Sequence, residues 1–187
     1  AFCASGQAGF IRNLEAGEIV GQVLLAAQDF GDKPSHVVVM GVGEPFDNYE
    51  NVLRAVRIIN DQDGLCIGAR RITISTSGLV PGIQRLSEEG LQVELSISLH
   101  APSDGLRSRL MPVNRTYPLA DLMAACKAYF EKTNRLITFE YTLIKGMNDQ
   151  VKHATELAAL LSSMPGRVNL IPLSPVAEFN GEHRGRS

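Results

Sequence analysis

The residues best suited to chemistry sit in four short stretches: MGVGEPFDN at 40–48, STSG at 75–78, SLHAP at 98–102 and IPLSP at 171–175. Each follows an apolar, strand-like run. Gly41 and Gly43 permit positive φ and close approach of backbone to a ligand, and Glu44 brings a carboxylate just before Pro45. Ser75, Thr76, Ser77 and Ser98 offer hydroxyls, and His100 offers an imidazole. Glu140 and Asn169 lie within two further strand-like runs. Convergence of these groups on one rim describes a polar small-molecule site. Singly, each has a plainer reading: a tight turn at GVGEP, a helix cap at STSG, a satisfied rim histidine at His100. Cys3 stands apart, either a small buried hydrophobe or the last letter of a longer motif. Cys66 and Cys126 read as buried, inert thiols, Cys126 on the apolar face of a helix.

The elements that must position these groups alternate along the chain. SHVVVMGV (35–42) reads as a strand buried on both faces. RRITISTSG (70–78), LQVELSISLH (91–100), NRLITFEYTLI (134–144) and GRVNLIPLSP (166–175) read as four more strands. Between them, helical spacing runs from Leu14 to Phe30, Asn48 to Asn60, Val80 to Glu89, Pro118 to Lys132 and Asp149 to Ser163. The first carries Ile19, Val20, Val23, Leu24 and Ala27 on one face. The last carries Val151, Ala154, Leu157, Ala158 and Leu161, with Asn148 or Asp149 as its cap. Strict alternation of helix and buried strand implies an α/β fold with a parallel sheet, closed as a barrel or open and doubly wound. Both put function at the carboxyl ends of the strands.

Bulk composition narrows the class. The chain has 187 residues, 44% of them hydrophobic, which excludes wholesale disorder. No apolar run approaches the roughly 20 residues of a membrane span, so no membrane partner is expected. Three widely spaced cysteines fit a reducing cytoplasm, where the protein is expected to act as a monomer. A net charge of −2 means that any nucleic-acid contact must rest on local cations.

Five stretches, in order, resemble the RlmN/Cfr family of radical S-adenosylmethionine (SAM) methyltransferases: CASGQAGFIRNLEAGEIVGQV, VVMGVGEPFDNYENV, RRITISTSGLVPGI, SLHAPSDGLRSRLMPVNR and VNLIP. The resemblance covers essentially the whole chain and implies a partial (β/α)6 TIM-like barrel of the radical SAM type, with parallel strands and the first strand missing. Residues 1–187 would then be the core domain, without the N-terminal RNA-binding domain, the start of the cluster loop or the C-terminal segment. The implied cofactors are a 4Fe–4S cluster and SAM. The implied reaction methylates C2 of an adenine in 23S rRNA and, in RlmN-type members, in tRNA.

By the same resemblance Cys3 would be the third ligand of a CxxxCxxC cluster loop. Gly43, Glu44, Ser75, Ser98, Leu99 and His100 would line the SAM pocket, Glu44 gripping the amino group and Leu99 contributing backbone. Ser174 stands where the family shows Asn after IPx. The family's two further cysteines, a methyl carrier near the C-terminus and a resolving thiol upstream of the cluster loop, have no counterpart here, so the chain as given is expected not to turn over. Arg70, Arg71, Arg107, Arg109, Arg115, Arg184 and Arg186 are the cations available for RNA, with Arg107 and Arg109 best placed. Three alternatives remain: a Cfr-type C8 methyltransferase, another radical SAM enzyme, and a cluster-free barrel that binds a phosphorylated small molecule.

Overall fold

The apolar runs form five strands: β1 (Val37–Val39), β2 (Ile72–Thr76), β3 (Glu94–Ser98), β4 (Ile137–Leu143) and β5 (Gly166–Pro172). Among the described residues six α-helices accompany them: α1 (Ala16–Phe30), α2 (Tyr49–Asn60), α3 (Val80–Glu88), α4 (Asp104–Leu110), α5 (Leu119–Thr133) and α6 (Val151–Leu161). The computed structural model describes residues 9–173. Cys3, Ser174, Arg184 and Arg186 lie outside the described residues.

All four strand pairings are parallel, and the strands lie in chain order, β1-β2-β3-β4-β5. A doubly wound sheet reverses its order at a switch point, and this one does not. The architecture is therefore part of a TIM-like barrel. Alternation along the strands sorts the two faces. Ile72, Ile74, Leu95, Ile97, Ile137 and Phe139 are fully buried in the main core beneath the helices. Each contributes roughly 1.5–3 kcal/mol by leaving water. Thr73, Ser75, Ser96, Ser98, Thr138, Glu140 and Thr142 alternate with them and therefore share the other, concave face.

Several expectations need correction. β1 is not buried on both faces: Val38 and Met40 are about half exposed, because this edge strand has no layer opposite its concave side. β5 is exposed on both faces: even Val168 and Leu170, in register with the core residues Phe139 and Tyr141, lie open. In α6, Val151, Ala154 and Ala158 face solvent, and the buried positions are His153 and Leu157. Its cap is Gln150, whose backbone N–H donates to His153 Nδ1 at 3.2 Å. Leu24 of α1 is half exposed, leaving Ala16 and Val20 as its buried contacts. Cys66 is exposed, in a left-handed turn with φ 51°, because it sits in the loop before β2 rather than on a packed helix face. Cys126 is buried as expected, and burial pushes its thiol up to about 12, so it stays protonated and inert.

Candidate active site at the strand ends

The loop after β1 is held by its own carboxylate. Glu44 Oε1 accepts from the Phe46 N–H at 3.1 Å, capping the short 3-10 turn Pro45–Asn48. Its Oε2 accepts from the Ser77 N–H at 2.7 Å, tying the loop to the end of β2. Phe46 then lies on the start of α3: a Cβ at Gly82 would stand 2.4 Å from Phe46 Cγ, so only glycine fits there. Gly43 has φ +112°, a conformation side-chained residues rarely adopt, and nothing lies within 4 Å of where its Cβ would be. At the end of β2 the hydroxyls divide their work. Thr76 Oγ1 accepts from the Gly78 and Leu79 N–H groups at 3.1 and 3.4 Å, closing the turn before α3; the N-cap of α3 is Leu79, without a side-chain cap, so STSG is a turn and not the helix cap. Ser75 points to the other face and is buried beside Ser96 of β3.

The ends of β2 and β3 are joined by one side chain, Arg107 of α4. It is fully buried. Nη2 donates to Ser77 O at 2.7 Å and Ser98 O at 3.1 Å, and Nε donates to Leu99 O at 3.2 Å. Nη1 donates to Asn114 Oδ1 at 2.9 Å, and Asn114 Nδ2 in turn donates to Asp104 Oδ1 at 2.9 Å. Burial pulls the guanidinium down to about 10, so it remains charged at neutral pH. The expectation that Arg107 meets RNA phosphate is therefore overturned: its planar fork is spent on three strand-end carbonyls. Arg70 and Arg71 are exposed but precede β2, at the opposite end of the sheet from the candidate site. Arg109 is exposed on α4 and lines an open cavity of about 320 Å³ with Gly146, Gln150, Lys152 and Glu156. A second cavity of about 540 Å³, bordered by Gly31, Lys33 and Cys66, lies at the amino ends of the strands.

His100 links β3 to β4. Its backbone is left-handed, with φ 57°, and its N–H donates to Glu140 O at 3.2 Å. Nδ1 accepts from the Thr142 N–H at 3.0 Å, which assigns the ring proton to Nε2. Burial, with the nearby Arg107 charge, lowers the imidazole to about 4, so it is neutral at physiological pH. Asn148, expected as a helix cap, instead ties this region together. It accepts from the Ile144 N–H at 2.6 Å and donates to His100 O at 2.8 Å and Thr142 O at 2.7 Å. Neither Asn148 nor Arg107 was assigned this work from sequence; a polar residue flanked by glycine and helix signals reads as a cap, and a lone arginine reads as surface.

Glu44, Ser77, Arg107, Ser98 and Leu99 thus belong to one hydrogen-bonded chain, and Glu140 O carries it on to His100. Gly43 and Glu44 reach it from β1, and Ser75 and Ser98 face the concave side. Leu99 differs. Its side chain is in the core, its N–H donates to Glu140 O at 3.0 Å, and its carbonyl accepts from Ala101 N–H at 2.8 Å.

A parallel half-barrel with glycines, a carboxylate, hydroxyls and a neutral imidazole around its carboxyl rim is the arrangement of a cofactor-binding enzyme core, and the chain belongs to the radical SAM superfamily, whose family model matches residues 1–158. It is 55% identical over 179 residues to the probable dual-specificity RNA methyltransferase RlmN of Symbiobacterium thermophilum, covering 95% of this chain and 48% of that one. The protein of the same name from Bacillus thuringiensis is 56% identical over 180 residues, covering 95% of this chain and 50% of the relative. The chain spans about half the length of the curated relatives it matches. A solved radical SAM methyltransferase from Sphaerobacter thermophilus superposes with TM-score 0.94 at 51% identity, over 100% of this chain and 55% of that one. Archaeal TYW1 shares the fold, with TM-score 0.50 at 18% identity over 79% of this chain and 48% of that one. The resemblance to the RlmN/Cfr family is borne out, and with it a 4Fe–4S cluster and SAM as cofactors.

The residues present fit SAM: the open space over Gly43 and the polar concave row give room and hydrogen-bonding groups for a zwitterionic nucleoside. Among the described residues no group of three His, Cys, Asp or Glu could hold a metal ion. The candidate cluster ligand, Cys3, lies outside them.

Proposed function

We propose that these residues are the core of an RlmN-type radical SAM methyltransferase that acts on C2 of an adenine in 23S rRNA and on tRNA. The observation that carries this reading is the close identity to RlmN proteins over nearly all of this chain, joined to a braced polar rim at the strand ends. The core would work within a chain of the relatives' length, which supplies an RNA-binding domain, the rest of the cluster loop and the methyl-carrying cysteine. Such a protein is read as a cytoplasmic monomer; among the described residues no helix is long and apolar enough to cross a membrane.

In this reading Cys3 ligates the cluster, and Gly43, Glu44, Ser75, Ser98, Leu99, His100 and Ser174 border SAM. When bound, the cluster and SAM supply the one-electron chemistry that activates an unreactive C–H bond. The chain's own residues hold and shield. Gly43 leaves space for the amino-acid end of SAM. Glu44 keeps a lone pair on each oxygen for the ammonium while its backbone bonds fix it in place. His100, neutral, borders the site with its ring fixed by the Thr142 N–H. Leu99 acts from the core, by fixing the turn that aims Ser98 and His100. Arg109 and Lys152, on the same rim, are the cations placed for RNA phosphate.

The test is an anaerobic, iron-reconstituted preparation of the full-length protein, incubated with SAM, a reductant and a 23S rRNA fragment. The expected product is 2-methyladenine, from a brown protein. An 8-methyl product would move the assignment to the Cfr type, and a colourless protein without iron would overturn it.

A further inference from the structure

The concave face holds a nearly buried carboxylate, Glu140, with no role in the proposed function. Glu140 sits on β4 between Phe139 and Tyr141, whose side chains are in the core, so its own points to the concave side. It is only 6% exposed. Its Oε2 accepts from Asn169 Nδ2 of β5 at 2.7 Å. Among the described residues nothing donates to Oε1, and no Lys or Arg pairs with the carboxylate. Arg135, near the start of the same strand, is committed to Glu94. Oε1 is therefore an acceptor still open to a donor from a ligand.

Register supplies the neighbours. Ser98, Glu140 and Asn169 are direct partners on β3, β4 and β5, so they form one polar row across three strands. Two strand spacings make that row about 10 Å wide, comparable to a nucleoside. We propose that Glu140, oriented by Asn169 and flanked by Ser98, accepts hydrogen bonds from an adenine nucleoside bound against the concave face, through its ribose hydroxyls or exocyclic amine. The inference rests on the radical SAM reading and adds a residue to it. Two molecules carry that chemistry: the adenosyl half of SAM and the target adenosine of the RNA.

The experiment uses the full-length, cluster-reconstituted protein and its Glu140→Gln and Glu140→Ala variants. Equilibrium dialysis measures SAM and free methionine, and filter binding measures a 23S rRNA fragment with the target adenine. Glu140→Ala is expected to weaken one adenosine-bearing ligand about tenfold, the scale of one charge-assisted hydrogen bond. Glu140→Gln, which keeps an acceptor and the shape, loses less and serves if the alanine variant does not fold. Loss of SAM affinity with methionine unchanged assigns the row to the cofactor. Loss of RNA affinity with SAM unchanged assigns it to the substrate. Unchanged binding of both ligands by a folded variant overturns the inference, as does an equal loss of methionine and SAM. A parent protein that binds no SAM at all overturns the radical SAM reading itself, a separate result.

Discussion

On the helix-packed face of the sheet, Ile74, Leu95 and Ile137 stand side by side in one fully buried row. One residue further along, on the concave face, the matching row is Ser75, Ser96, Thr138 and Arg167. The backbone and its ladder are shared, so only the side-chain chemistry differs. The aliphatic face supplies the burial that holds the strands to the helices. The polar face, where Ser75 and Ser96 are buried too, carries hydrogen-bonding groups instead of aliphatic ones. A parallel sheet buried on both faces would carry apolar residues in both rows. This one does not, and in the proposed function its polar row borders the cofactor.

The sharpest way to break that comparison is to truncate one residue on each face. Phe139→Ala removes a fully buried ring from the helix-packed core and is expected to destabilise the fold by about 3–5 kcal/mol. Ser96→Ala, on the adjoining strand but facing the other way, removes one buried hydroxyl and is expected to cost no more than about 1 kcal/mol. Urea denaturation of the full-length protein measures both. Similar losses from the two changes would mean that the concave face is packed and not a ligand surface.

Acid sharpens the comparison at the rim, where the two faces meet. His100 has its imidazole lowered to about 4 by burial and by Arg107, against an ordinary value of 6.5. Below pH 6.5 the unfolded chain takes up a proton that the folded state refuses until about pH 4. Stability is therefore full above pH 6.5 and falls across that window, by on the order of 3 kcal/mol. A His100→Gln variant should flatten this part of the pH profile in urea unfolding. A profile that keeps its slope would move the acid sensitivity to another group.

The two faces were unequally legible in the sequence. Helix and strand periodicities located all five strands and five of the six helices, because a main core of this size imposes its spacing on each element. The helix that escaped, α4, is short, and its apolar residues serve a small second cluster of Ala101, Leu110, Met111 and Ile144. The motif residues at the strand ends were legible as a set of ligand-like groups. The supports beneath them were not. Nothing in SDGLRSRL states that its first arginine is buried and its second exposed, since seven residues of helix give little pattern to read. Asn148 was visible only as a helix cap, because its three partners come from residues 100, 142 and 144, brought together by the β3–β4 pairing.

Arg107 is where that hidden layer can be tested most directly. Replacing it with Met keeps volume and removes every donor, so Ser77 O loses its side-chain partner and Ser98 O and Leu99 O each lose one bond. The Leu99 carbonyl keeps Ala101 N–H, which limits the damage, and a net cost of about 2 kcal/mol is expected. Arg107→Lys should recover only part of it, since a single ammonium cannot reproduce the planar fork. The two ends that the guanidinium joins carry Ser75 and Ser98. Loosening them should therefore weaken SAM binding by dialysis in both variants while leaving RNA retention on filters nearly unchanged. Had Arg107 been a phosphate contact, the order would be reversed, and the RNA curve would move first.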